Sequence, residues 1–192
     1  MKILVLNGSP KGNDLSVTMK YVHYIEQLFP EIEFKKIAIG QLLNNMKIQE
    51  SRLSQIFNEL READGILYSF PIYTPLIPAQ LKKFIEILFE KDLTDLKDKY
   101  AASLSTSMKF YDIAAHNYIH AISEQLNMNF VGFFSVGTYD FLNFEERKKW
   151  YLFMEDFIMT PQEHSTFQGG DELRSIFFCS KKNQKSIILN SI

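Results

Sequence analysis

At 192 residues, 46% hydrophobic and 23% charged, the chain has the composition of one globular domain with an ordinary core, not of a disordered segment. A formal net charge of -2 argues against a general nucleic-acid binder, which needs a basic face. The single cysteine, Cys179, excludes an internal disulfide, a CxxC pair and a cysteine-ligated cluster. The opening MKILVLNGSP is too short in apolar residues for a signal peptide's core, so a cytoplasmic setting is expected. Aromatic residues are abundant, with 17 Phe and 9 Tyr. They would serve stacking, a subunit interface or a bulky core.

In chain order, the pattern alternates strand and helix. Lys2–Asn7 reads as a strand ending in a Gly-Ser-Pro turn. Apolar residues at Val17, Tyr21, Ile25, Leu28 and Phe29 predict a helix over Ser16–Phe29, stopped by Pro30. Glu33–Ile39 alternates only partly, which suggests a half-exposed strand. Leu53, Ile56, Phe57 and Leu60 mark a helix over Glu50–Ala63, and Gly65–Phe70 a buried strand. Pro78–Glu90 reads as a helix with Pro78 at its first position. Tyr100–Thr106 is the fourth strand, Asp112–Leu126 a helix, and Phe130–Gly137 the fifth strand. Asn143 and Glu146 form a capping pair for a last helix whose buried stripe is Trp150, Phe153, Met154, Phe157 and Ile158.

Five strand–helix units give an α/β three-layer sandwich: a five-stranded parallel sheet of flavodoxin-like order 2-1-3-4-5, with helices on both faces. Apolar strands belong in the middle of such a sheet, and the alternating second strand at an edge. This domain spans 1–158. Residues 159–192 form a C-terminal extension of unassigned structure, a loop over Thr160–Gly170 followed by two short apolar runs, Ser175–Cys179 and Ser186–Asn190.

Ligands of such sheets bind beyond the carboxyl ends of the strands, so the loops there carry the functional signal. The first loop runs from Asn7 to Thr18. Its glycines permit close approach, Ser9, Ser16 and Thr18 offer hydroxyls, and Lys11 a charge. With the free amides of the next helix it reads as a phosphate cradle or as a plain polar turn. It matches neither a Walker A nor a GxGxxG motif. The second loop, Ser69–Pro78, holds three of the six prolines around Tyr73. It is a stiff apolar wall, suited to a flat ring or to packing alone. The third, Ser105–Asp112, is rich in small polar residues whose amides suit the carbonyl edge of a ring or cap the next helix. Phosphate cradle, aromatic wall and amide-rich loop together describe a mononucleotide such as FMN.

His116, His120 and Glu124 stand at i, i+4 and i+8 of one helix, a spacing that can hold zinc. No further ligand is evident, so no metal is expected.

The segments KILVLNGSPKGNDLSVT, ADGILYSFPIYTPLIPAQLKKFIE and TSMKFYDIAAHNYI together resemble the flavodoxin-like NAD(P)H-dependent FMN reductases and quinone reductases. The resemblance covers roughly residues 1–158 and is nearest the iron–sulfur-flavoprotein-like branch of NAD(P)H-dependent oxidoreductases. The stretch GQLLNNMKIQESR has no cysteine, so no cluster is carried over. The resemblance implies that Ser9, Lys11, Ser16, Thr18 and the amide of Val17 bind the FMN phosphate. It implies that Pro71, Ile72, Tyr73 and Thr74 line the isoalloxazine, with Tyr73 facing the ring. Thr106, Ser107 and Met108 would contact the pyrimidine side, with Lys109 and Tyr111 nearby. Lys11 stands where arginine is common, a point charge in place of a bidentate fork.

The expected function is therefore electron transfer from NAD(P)H through bound FMN to a small acceptor such as a quinone or flavin. A homodimer or tetramer is expected, with no membrane span and no nucleic-acid partner. A flavodoxin-type electron carrier and a flavin-binding module without turnover remain open alternatives at this level.

Overall fold

In a computed structural model of the chain, the described residues are 1–43, 48–73, 75–91, 96–108 and 112–164, with side chains to Thr160. Five parallel strands form the centre: β1 (Lys2–Asn7), β2 (Glu33–Ile37), β3 (Gly65–Pro71), β4 (Tyr100–Ser107) and β5 (Asn129–Gly137). Their spatial order is β2-β1-β3-β4-β5. The chain thus winds outward from β1 in both directions, and the loops after β1 and β3 part at the switch point.

The helices are α1 (Gly12–Leu15), α2 (Val17–Leu28), α3 (Ile39–Leu42), α4 (Glu50–Glu62), α5 (Ala79–Glu90), α6 (Ile113–Gln125) and α7 (Phe144–His164), with a 3₁₀ turn at Asp140–Leu142. Alternate strand residues face opposite layers. On one face Leu4, Leu6, Ile66, Tyr68 and Phe70 pack against Leu53, Ile56, Leu81, Phe84, Ala115 and Ile119 of α4, α5 and α6. On the other, Ile3, Val5, Leu67, Ala102 and Leu104 meet Met19, Val22 and Ile25 of α2 and Trp150, Met154 and Phe157 of α7. The Trp150 indole N–H donates to the Tyr21 carbonyl at 2.9 Å and pins α7 to α2. Trp150 also stacks with Phe153, and Phe141 meets Tyr21 edge-on at 4.9 Å. Much of the aromatic excess is thus core packing.

Several expectations shift. The buried face of α2 is Thr18, Met19, Tyr21, Val22 and Ile25, with Leu28 partly buried against the same core, so of the expected stripe only Val17 leaves it. Val17 escapes because the first turn of α2 borders an open cleft. Pro78 stands just before α5 as its cap, not within it, and its carbonyl accepts the Lys82 amide at 3.0 Å. Asn143 does cap α7, its Oδ1 accepting the Glu145 amide at 2.9 Å. Glu146 pairs instead with Lys149 at 2.7 Å, so the reciprocal half of the box is unmade. α7 continues through Thr160 to His164, where a loop is expected. The apolar fifth strand lies at the edge opposite β2, leaving Phe133 exposed, because the strand order has two ends to fill. The runs Ser175–Cys179 and Ser186–Asn190, and Cys179 itself, lie outside the described residues.

Candidate active site

Strand β1 ends at Asn7, and its side chain organises the loop that follows. Asn7 Oδ1 accepts the Ser9 amide at 2.9 Å, while its Nδ2 donates to Asn13 Oδ1 at 3.0 Å. The Gly12 amide closes a turn on the Ser9 carbonyl at 3.2 Å. Gly12 sits at φ +73°, a left-handed conformation that disfavours other residues. From below, α3 packs backbone to backbone: a Cβ on Gly40 would lie 2.3 Å from the Ser9 carbonyl oxygen. The loop is therefore held from within and from beneath before any ligand arrives.

A cleft of about 410 Å³ opens above these residues. Ser9, Lys11, Ser16 and Val17 line one end, Pro71, Ile72, Tyr73 and Pro75 a side, and Thr106, Ser107, Met108 and Thr138 the other end. Ser16 caps α2 in an extended conformation, and its side-chain oxygen is buried with no partner among the described residues. A buried hydroxyl left unpaired costs roughly 1–3 kcal/mol. Helix α2 directs its free amides and partial positive charge to the same place. A phosphate there satisfies the hydroxyl and the amides together. The residues present thus fit the anionic end of a mononucleotide.

The remaining wall is assembled across the sheet. The Ile72 amide donates to the Thr106 carbonyl at 2.8 Å, which ties the proline-rich loop to β4. The Thr138 amide and hydroxyl both reach the Ser107 carbonyl, at 3.1 and 3.3 Å. Tyr73 and Met108 stand on the rim, 66% and 79% exposed. Thr74, Lys109 and Tyr111 lie outside the described residues.

Thr18 is the sequence candidate that the cleft does not contain. It is wholly buried behind the wall, its Oγ1 2.6 Å from that of Thr106. Thr138 and Asn7 are residues that the sequence reading missed. The signal for Thr138 is positional, since it follows the last parallel strand as the other loops follow theirs. Nothing in the sequence marks Asn7 as an organiser beyond its place at a strand end.

Beneath β4 lies a second polar group. His116 is buried, with its ring nitrogens hydrogen-bonded to Ser103 Oγ at 2.7 Å and Ser105 Oγ at 2.9 Å. Phe133 stacks on its ring at 4.3 Å. Burial pulls its pKa down to about 4, partly opposed by the negative field of Asp112. The zinc spacing thus dissolves: His116 faces the core, while His120 stacks on Phe130 and pairs with Glu124 at 3.3 Å. Among the described residues no group of three metal-ligating side chains forms. No helix among them is long and apolar enough to cross a membrane.

A doubly wound parallel sheet with a cleft at its switch point, polar at the end lined by Ser9, Lys11 and Ser16, is the architecture of α/β proteins that bind mononucleotides. Residues 1–139 match the model of the NADPH-dependent FMN reductase family, and the chain belongs to that family. It is therefore an oxidoreductase that uses FMN with NAD(P)H as co-substrate. Among solved structures it is similar to an NADH:FMN oxidoreductase in its apo form (20% identity, TM-score 0.68, covering 83% of this chain and 89% of that one). It is also similar to an FMN-dependent NADH-azoreductase from Bacillus anthracis in complex with FMN (15%, 0.59, 86% and 99%). An NADPH-quinone reductase from P. pentosaceus gives 14%, 0.59, 81% and 95%. At these identities the structural likeness bears on fold alone. No curated protein matches the chain in sequence.

Proposed function

We propose that the protein is an NAD(P)H-dependent reductase of a small planar acceptor, a quinone or a flavin, with FMN as its resident group in this cleft. The observation that carries the reading is the unpartnered buried hydroxyl of Ser16 at the start of α2, on a cleft whose other end is lined by Thr106, Ser107, Met108 and Thr138. Ser9, Lys11, Ser16 and the Val17 amide would hold the phosphate. Pro71, Ile72, Tyr73 and Thr74 would flank the ring, and Thr106, Ser107 and Met108 its pyrimidine side. Thr138 joins that last group because it lines the same end of the cleft.

Bound FMN supplies the hydride chemistry. The chain's part is to orient the ring, to cover one face with Tyr73, and to offer amide donors where negative charge gathers on reduction. The exposed side chains of Tyr73 and Met108 on the cleft lining would favour flat organic acceptors over metal ions. The exposed apolar side chains of Tyr139 and Leu142, next in the chain after Thr138, would suit association into a homodimer or tetramer.

The test is to load the purified protein with FMN, desalt it, and add NADH or NADPH without oxygen. Bleaching of the retained visible band, and its return with a quinone or free flavin, is the expected result. A protein that holds no FMN through the column overturns the site. A bleached protein that reoxidises only with oxygen overturns the acceptor class.

A further inference from the structure

Thr18 has the residue type of a phosphate donor and the wrong position for one. It lies in the first turn of α2, beside the cleft-lining Ser16 and Val17, yet it is wholly buried. Its hydroxyl shares a hydrogen bond of 2.6 Å with that of Thr106, 88 residues away at the tip of β4. Thr106 does line the cleft, and its carbonyl accepts the amide of Ile72 at 2.8 Å. Two consecutive bonds, Thr18 to Thr106 and Thr106 to Ile72, therefore join the helix that carries the proposed phosphate cradle to two of the three loops that form the wall.

We infer that Thr18 is a positioning residue that sets the spacing between cradle and wall, and not a ligand of the phosphate. A hydroxyl has one hydrogen to give. In the arrangement where Thr18 donates to Thr106, the Thr106 hydrogen remains free for a ligand in the cleft and the buried bond polarises it as a donor; in the reverse arrangement Thr106 offers that ligand only its lone pairs. Thr18 then acts on the ring end of the ligand through Thr106, although its neighbours in sequence act on the phosphate end. The inference rests on the reading of the cleft as an FMN site.

FMN and riboflavin, which lacks the phosphate, separate the two roles. Both are titrated by flavin fluorescence against the native protein, Thr18→Val, Thr18→Ser, Thr106→Val and the double valine variant. A positioning role predicts that Thr18→Val weakens both ligands by the same factor, about fivefold to tenfold. It also predicts that Thr18→Ser recovers most of the loss, and that the double variant binds no worse than Thr106→Val. The bound flavin's visible band should lose fine structure in Thr18→Val and regain it in Thr18→Ser, which a general loss of stability does not produce. Loss of FMN affinity with riboflavin unchanged makes Thr18 a phosphate ligand and overturns the inference. So does unchanged binding of both. Should Thr18→Val not fold, Thr18→Ser and Thr106→Val still decide it: a fall in riboflavin affinity with Thr106→Val, with Thr18→Ser near native, supports the link, and native riboflavin binding by Thr106→Val overturns it. Ser16→Ala keeps the two readings apart. It should weaken FMN alone, and equal weakening of both ligands by that variant removes the phosphate assignment whatever Thr18 does.

Discussion

The two ends of the cleft are built in different ways. The cradle is one continuous stretch after β1, fixed mainly from within by Asn7 and the left-handed Gly12, and backed from beneath by α3 at Gly40. The wall comes from three loops far apart in sequence, joined by a few bonds between strand ends: one from Ile72 to Thr106, and two from Thr138 to Ser107. The cradle's side chains Ser9 and Ser16 are buried, while Tyr73 and Met108 of the wall stand largely in solvent. A locally closed loop can be preorganised by its own residues. A wall shared among loops is only as rigid as the sheet beneath it.

That contrast can be broken at four points. Gly40 supports the cradle alone, because a side chain there would strike the Ser9 carbonyl oxygen at 2.3 Å. Overpacking of this kind costs roughly 1–3 kcal/mol. Gly40→Val should therefore weaken FMN by up to about a hundredfold and riboflavin far less. Equal losses, measured by fluorescence titration, would mean that cradle and wall move as one body.

The support of the wall is tested by acid. Burial keeps His116 neutral in the fold, with its pKa lowered from 6.5 to about 4. The unfolded chain takes up this proton below 6.5 while the folded one does not, so the stability from this group is complete above pH 6.5 and is lost as pH falls towards 4. The loss is on the order of 3 kcal/mol. Urea midpoints across that range should show it, and His116→Asn should flatten the slope. A native slope in that variant assigns the acid limb to other groups.

Tyr73→Ala removes an exposed ring from the rim. Aromatic contacts are worth roughly 0.5–1.5 kcal/mol, so a loss of about twofold to tenfold is expected, equal for FMN and riboflavin. Native affinity together with native NADH turnover would remove Tyr73 from the site. The smallest effect belongs to Lys11, an exposed point charge at the cradle. Lys11→Gln should cost FMN affinity about threefold at low salt, and the difference should close by 0.5 M salt through screening. A difference that persists at high salt would mean that the lysine is desolvated against the phosphate.

Much of this was readable from the chain alone. Strand and helix periods are set by which residues are apolar, so β1 and β3, the stripe of Trp150, Met154 and Phe157, and the strand order follow from patterning. The polar loop after β1 was legible for the same reason: Ser9, Gly12 and Ser16 lie within a dozen residues of one another, and local chemistry leaves local signatures.

What sequence left undecided depends on neighbours distant in the chain. Thr18 and Ser16 are two hydroxyl residues near one helix start, and only the position of β4 turns one inward to Thr106 and leaves the other open to the cleft. His116 and His120 share a helix face by spacing, yet two serines on β4 bury the first while Glu124 keeps the second at the surface. Thr138 joins the site because β5 pairs beside β4 and brings it to Ser107. The sequence by itself determined the elements, their order and the polar loop after β1, because period and turn chemistry act over a few residues. The tertiary structure alone decided which hydroxyls line the cleft, because that choice is made by strands that meet only when the sheet is complete.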